Sequence, residues 1–334
     1  MSATATPYLA DVDATVWHGD VRDVLPQLEA ESVDCALCSP PFYGLRDYGV
    51  DGQIGLEATP DEWAAELVAV FREVRRVLKP AGTLWVECGD SYASAMTSDR
   101  RMFQPTRDND RSGGVARRSD PQIAGQCTAI GDLKPKDLLG QPWLLAFALR
   151  ADGWYLRQCI VWAKPNAMPE SVRDRCTTAH SYLFLLSKES RYFFDADAIA
   201  EPAEWAAWGA QTDLKRGQPG SENARGTGMG FDTYGRQRIK EMQNGHGSKN
   251  ARSVWTIPTQ GYPGAHFATW PEKLVERILL AGCPEGGVCL DPFAGSGTTL
   301  QVARRLGRRS VGVELNADYC RMIGERLQQL SLLA

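Results

Sequence analysis

The run Val288-Cys289-Leu290-Asp291-Pro292-Phe293-Ala294-Gly295-Ser296-Gly297-Thr298-Thr299 restricts the fold more than any other part of the chain. Its apolar start predicts a strand over 288–290, its glycines a tight turn, and its threonines the opening of a helix over 298–306. A second strand over 310–314 ends in Glu314, and a last helix covers 317–330. Strand, turn, helix and returning strand make a βαβ unit, which implies a parallel sheet. Open sheets of this kind bind ligands at the carboxyl ends of their strands, where backbone N–H groups of the turn and of the helix start face outward. A P-loop is excluded because no Lys follows the last glycine, and a dinucleotide fingerprint because its third glycine is missing. Glu314 suits a nucleoside instead, because an acid at that strand end can accept hydrogen bonds from both hydroxyls of a ribose.

The rest of the ordered sequence keeps the same rhythm. An apolar strand over 33–38 stops at Ser39-Pro40-Pro41, where the prolines forbid further ladder pairing. Thr59, Pro60 and Glu62 form a capping-box pattern opening a helix. Trp63, Leu67, Val70, Phe71, Val74 and Leu78 recur along it at helical spacing until Lys79-Pro80-Ala81-Gly82 ends the element. Strands over 83–87, 155–162 and 181–187 and a helix over 141–149 follow. Alternating helices and strands apolar on both faces predict a doubly wound, mainly parallel α/β fold. Two stretches break the rhythm, 94–132 and about 201–253, and read as polar insertions. In the second, Trp205, Trp208, Met229, Phe231 and Tyr234 interleave with Lys215, Arg216, Arg225, Arg236, Arg238 and Lys240, a mixture suited to nucleic acid. A net charge of −4 excludes a uniformly basic coat protein but allows a local basic cleft.

Two motifs together carry a resemblance. Asp291-Pro292-Phe293-Ala294-Gly295-Ser296-Gly297-Thr298-Thr299 resembles the cofactor motif of the amino-group DNA methyltransferases, with Glu314 in the matching acidic place. Ser39-Pro40-Pro41-Phe42 resembles the same family's catalytic motif, which also follows a strand. The catalytic block precedes the cofactor block, with a variable segment between them, and that order resembles the circularly permuted β class. The resemblance implies a Rossmann-like methyltransferase fold with a catalytic half over 1–200, a target-recognition region over 201–253 and a cofactor half over 254–334. It implies S-adenosylmethionine as cofactor, S-adenosylhomocysteine as product and no metal. Cofactor contacts are then expected from Asp20, Phe267, Thr269, Asp291, Phe293, Gly295, Gly297, Thr298, Glu314 and Asn316. Target-side contacts are expected from Lys164, Asn166, Arg173, Arg236 and Arg238. His180 is followed by Ser181 where the family often has Glu, which leaves His180 at most a minor role.

The chemistry fits these residue types. Methyl transfer to an exocyclic amine must localise a lone pair that is delocalised into the base. Acceptance of the two amine protons by the Ser39 side chain and the Pro40 carbonyl would draw the nitrogen toward tetrahedral geometry, and Phe42 offers a face for the extruded base. Methylation at ring carbon 5 of cytosine would need a Pro-Cys nucleophile in this loop, and none is present; Cys35 and Cys38 precede the prolines and have no second ligand pair for zinc. Ser at the first motif position resembles the cytosine-N4 group, while adenine-N6 stays open. RNA or protein methylation, and a DNA-binding protein that has lost catalysis, are the readings of other classes. The expected partners are duplex DNA and a cognate restriction endonuclease, with the enzyme working as monomer or homodimer. No apolar run is long enough to span a bilayer, the first ten residues lack signal-peptide character, and nine scattered cysteines suit reduced thiols, so the expected place is the cytoplasm of a bacterial or phage-infected cell.

Overall fold

The structure is a computed structural model that describes residues 6–45, 49–50, 52–93, 133–202, 248–260 and 270–331. It divides into two compact units, one of Met1–Phe194 with Ser253–Ala334 and one of Asp195–Arg252. In the smaller unit the described residues form a short antiparallel pair, β7 (Glu201–Pro202) with β8 (Ser248–Lys249), and Arg252 Nε reaches Glu201 Oε2 at 2.9 Å.

The larger unit is built on a nine-stranded sheet. Its strands are β1 (Leu9–Ala10), β2 (Ala14–His18), β3 (Val33–Cys38), β4 (Leu78–Cys88), β5 (Tyr155–Ala163), β6 (His180–Ser187), β9 (Val254–Thr256), β10 (Val288–Asp291) and β11 (Arg309–Glu314). They lie in the order β1-β2-β11-β10-β3-β4-β6-β5-β9. Strands β2, β11, β10, β3 and β4 are all parallel, while β6 runs antiparallel to both β4 and β5, and β1 is antiparallel to β2. The C-terminal pair β10–β11 thus sits mid-sheet between two N-terminal strands: β11 pairs with β2 along Ser310↔Ala14 to Glu314↔His18, and β10 with β3 at Cys289↔Cys35. This interleaving places the cofactor-motif turn and the proline loop side by side, since adjacent parallel strands end at the same edge.

Helices α1 (Val21–Val24), α2 (Pro60–Val77), α3 (Gln141–Ala151), α4 (Glu272–Gly282), α5 (Thr298–Arg305) and α6 (Ala317–Ser331) accompany the sheet. The capping box forms at α2, where Thr59 Oγ1 accepts the Glu62 N–H at 3.1 Å and Glu62 reaches back to the Ala58 N–H. Its apolar stripe buries Trp63, Leu67, Phe71 and Val74 completely. Burial of four such side chains removes roughly 1.5–3 kcal/mol each of unfavourable hydration, more than the cap contributes.

Some elements differ from the sequence reading. Lys79-Pro80-Ala81-Gly82 does not separate helix from strand: α2 ends at Val77, Leu78 turns extended and pairs with Val33, and β4 begins at once. A register shift between Val33 and Cys35 accommodates the proline-containing stretch. Strand β2 escaped the reading because it has only five residues and its place is set by a partner some 300 positions away, whereas α4 escaped it although Leu274, Val275, Ile278 and Leu279 recur at helical spacing. The insertion over 94–132 lies outside the described residues, as do 203–247 of the second stretch.

Candidate active site

A cavity of about 420 Å³ opens at the carboxyl edge of the parallel strands. One wall is the turn after β10. Gly295 and Gly297 adopt φ of +53° and +80°, in the left-handed region, and a Cβ on Gly297 would stand 2.8 Å from Ile323 Cγ1 of α6. Asp291 is buried, accepting the Phe293 N–H at 3.1 Å and the Thr299 hydroxyl at 2.5 Å. Burial raises its pKa to about 6 against the pull of those bonds. Glu314 accepts the Gly295 N–H at 2.7 Å through one oxygen and the Asn316 N–H at 2.8 Å through the other. Burial raises Glu314 to about 7, with the nearby Asp291 charge adding to the rise. The Leu315 N–H also draws on this carboxylate, which still has acceptor capacity for a further donor.

The facing wall is the loop after β3. Trp63 of α2 donates its indole N–H to the Pro41 carbonyl at 2.8 Å, so the helix that buries Trp63 also fixes the loop. The Ser39 hydroxyl donates to Glu87 Oε2 of β4 at 2.8 Å, and Glu87 is almost fully buried. Phe42 packs closely over Gly89: a Cβ there would lie 3.3 Å from its ring edge, tighter than an ordinary contact. Lys164, at the end of β5, stands 4.2 Å from the centroid of the Trp162 ring and donates to the Ser181 hydroxyl. Burial lowers its pKa, with the charge of Glu87 acting in the opposite sense.

Ser39, Pro40, Pro41, Phe42, Asp20, Lys164, Asp291, Phe293, Gly295, Thr298, Glu314 and Asn316 all line this one cavity, although nearly 300 residues separate the first from the last. Gly297 supports the turn from behind. Some of these groups are already engaged. Asp20 caps α1 through the Arg22 N–H and holds the Arg22 guanidinium, and although burial raises its pKa, the bonds from Arg22 outweigh that and leave it lowered. Asn316 Oδ1 accepts the Asp318 N–H at the start of α6. Asn166 spends both ends of its amide on Thr259, donating to its carbonyl at 3.0 Å and accepting its N–H at 2.8 Å. It therefore anchors the β5–β6 loop to a cavity-lining residue while staying exposed itself. Arg173 is exposed and outside the lining, and His180 is exposed with its ring edge against Tyr182. Phe267, Thr269, Arg236 and Arg238 lie outside the described residues.

Two participants had no assigned role in the sequence. Glu87 closes the strand read over 83–87, and its partnership with Ser39 requires β3 and β4 to be neighbours. Arg326 of α6 is buried beneath the glycine turn, where its guanidinium donates to the Ser296 carbonyl at 2.7 Å, to the Thr298 hydroxyl at 3.4 Å and to the Gln301 side chain. Cys35 and Cys38 are fully buried in β3, and burial holds both thiols well above their ordinary pKa, which keeps them protonated and unreactive. Among the described residues, no group of three or more His, Cys, Asp or Glu is arranged to hold a metal ion, and no helix is long and apolar enough to cross a membrane.

A profile of the family described as DNA methylase, of the N6 and N4 type, matches residues 33–325. The chain is 43% identical over 309 residues to the Type II methyltransferase M.SmaI of Serratia marcescens, which spans 92% of this chain and 89% of that protein. It is 40% identical over 315 residues to the Type II methyltransferase M.Cfr9I of Citrobacter freundii, covering 94% and 88%. Among solved structures it is similar in fold to the PvuII DNA methyltransferase, described as cytosine-N4-specific, with a TM-score of 0.61 at 16% identity over 96% of this chain and 89% of that one.

Proposed function

Because the chain belongs to the DNA methylase family of N6 and N4 amino-methyltransferases, we propose that it methylates the exocyclic N4 amine of a cytosine flipped from duplex DNA, at a defined sequence, with S-adenosylmethionine as donor. The observation that carries this reading is the convergence of the Ser39-Pro40-Pro41-Phe42 loop and the Asp291–Thr298 turn on one cavity from adjacent strands.

The cavity fits the cofactor. Glu314 keeps lone pairs for ribose hydroxyls, Gly295 leaves open space where a side chain would intrude, and the buried Arg326 adds positive potential behind the turn for a carboxylate. Asp20, Phe293 and Asn316 complete the wall, and Phe267 and Thr269 are further cofactor contacts that the resemblance implies. When bound, S-adenosylmethionine supplies a methyl group on a positively charged sulfur.

The chain's own residues do the rest. Phe42 stacks the extruded base, and the Pro40 carbonyl accepts one amine proton. Ser39 donates to Glu87, which leaves its oxygen lone pairs to accept the other amine proton. As the amine gives up that proton to Ser39 Oγ, the hydroxyl proton of Ser39 moves to Glu87, so no charge is left on the serine. Lys164 lies in the same cavity as a donor toward the polar edge of the base, and its lowered pKa reflects the cost of holding that charge in a dry site. The serine at position 39 supports cytosine-N4 over adenine-N6. Likeness to Type II methyltransferases supports a modification enzyme paired with a restriction endonuclease, acting in the bacterial cytoplasm, with 201–253 as its target-recognition region. Incubation with labelled S-adenosylmethionine and a mixture of unmethylated duplex DNA, RNA and protein tests the reading: label should enter DNA, and label in RNA or protein alone would overturn it.

A further inference from the structure

The buried side chain of Gln141 lies outside the cavity yet touches the catalytic loop. It is the first residue of α3 and is 1% exposed. Its Oε1 accepts the Tyr43 N–H at 3.1 Å, the amide directly after Phe42. Its Nε2 donates to the Ser91 hydroxyl at 3.1 Å, and its own N–H meets Asp90 Oδ1 at 3.3 Å. One residue therefore joins the end of the catalytic loop to the segment leaving β4.

That segment is itself held at a neck. The Leu139 N–H donates to the Ser91 carbonyl at 2.9 Å, Tyr92 bridges Leu138, the Ala93 N–H donates to the Asp137 carbonyl at 2.8 Å and the Lys136 N–H to the Ala93 carbonyl at 2.7 Å. The neck closes the two ends of the 94–132 stretch immediately before Gln141. On the other side, Pro41 is held by Trp63 and Phe42 is packed against Gly89. After the stacking residue the loop is fastened first at the Tyr43 N–H, then by the Tyr43 hydroxyl on the Ala58 carbonyl at 3.1 Å and the Gly44 N–H on the Gly55 carbonyl at 2.8 Å, and burial denies the Tyr43 N–H water as a substitute partner.

We infer that Gln141 is a positioning residue for methyl transfer, holding Phe42 and Ser39 in register through the Tyr43 amide. It touches neither base nor cofactor. The inference rests on the reading of Ser39–Phe42 as the target loop, and it calls for two readouts, one of them independent of catalysis.

The test compares wild type with Gln141→Met, which keeps the volume and removes both bonds, and with Ser91→Ala, which removes only the neck contact. Amide hydrogen exchange at Tyr43 reports the brace, and single-turnover methylation of duplex DNA reports its consequence. Gln141→Met should raise Tyr43 exchange and slow transfer by about ten- to a hundredfold, the scale of a small misplacement at a reacting centre, with cofactor affinity by calorimetry unchanged. Ser91→Ala should keep Tyr43 protected and transfer within about threefold of wild type, since the loop bond remains. Unchanged Tyr43 exchange in Gln141→Met would overturn the brace whatever the activity. Faster exchange with an unchanged transfer rate, or cofactor affinity falling in step with transfer, would overturn its positioning role. A wild-type protein that binds cofactor but methylates no DNA would overturn the proposed function, while Tyr43 exchange would still decide the brace.

Discussion

Cofactor binding should depend on pH through Glu314. Its carboxylate sits at the wall of the cavity with a pKa raised to about 7, mainly by burial. Ionised, it accepts from ribose hydroxyls with charge assistance; protonated, it loses that advantage. With a midpoint near 7, about ten-elevenths of the molecules are ionised at pH 8 and about one-eleventh at pH 6. Affinity for S-adenosylhomocysteine should therefore fall about tenfold between those values, equivalent to ~1.4 kcal/mol. Titration calorimetry at constant ionic strength across this range measures it directly. Glu314→Gln should bind more weakly at pH 8, because an amide satisfies only one of the two backbone N–H groups now held, and its affinity should be nearly level from pH 8 to 6. The unliganded protein should show the opposite trend in stability. A carboxyl whose pKa is raised by folding stabilises the native state below its unfolded value of 4.5, and that contribution is lost as pH rises toward 7. A wild-type affinity that is flat from pH 6 to 8, or an equal slope in Glu314→Gln, would refute the argument.

Other expectations concern the two loops and the surface. Ser39→Ala or Phe42→Ala should reduce methyl transfer by about a hundredfold or more while leaving cofactor affinity within a fewfold, and equal loss of both would move the target pocket elsewhere. Gly297→Ala should destabilise the protein by about 2–5 kcal/mol, combining a left-handed backbone at φ +80° with a forced contact on Ile323, and a calorimetric midpoint equal to wild type would contradict that packing. Replacing Arg236 and Arg238 should weaken DNA binding and flatten its salt dependence by about two units in the log–log slope; an unaltered slope would place the phosphate contacts on other cations.

Local signals made part of this structure legible. The glycine turn and Glu314 are encoded within 27 residues, and the box at Thr59 and Glu62 within four, so their physics is short-ranged and visible in order. The stop at Ser39-Pro40-Pro41 is equally local. What stayed hidden depends on neighbours distant in the chain. Leu78 reads as the end of a helix until Val33 offers it a ladder partner. Glu87 becomes a partner of Ser39 only once β4 lies beside β3. Asn166 carries a polar side chain that a motif assigns to the target, yet the fold spends it on Thr259. Arg326 and Gln141 look like ordinary helix residues, and their buried bonds exist because α6 and α3 bring them beneath the two loops.

The central claim is amino methylation of cytosine, and the identity of the modified nucleoside tests it most directly. Unmethylated duplex DNA treated with the purified protein and S-adenosylmethionine, digested to nucleosides and resolved by mass spectrometry, should yield N4-methylcytosine. N6-methyladenine as the sole product would contradict the reading of Ser39 while preserving the cavity and cofactor, and 5-methylcytosine would contradict the mechanism as well.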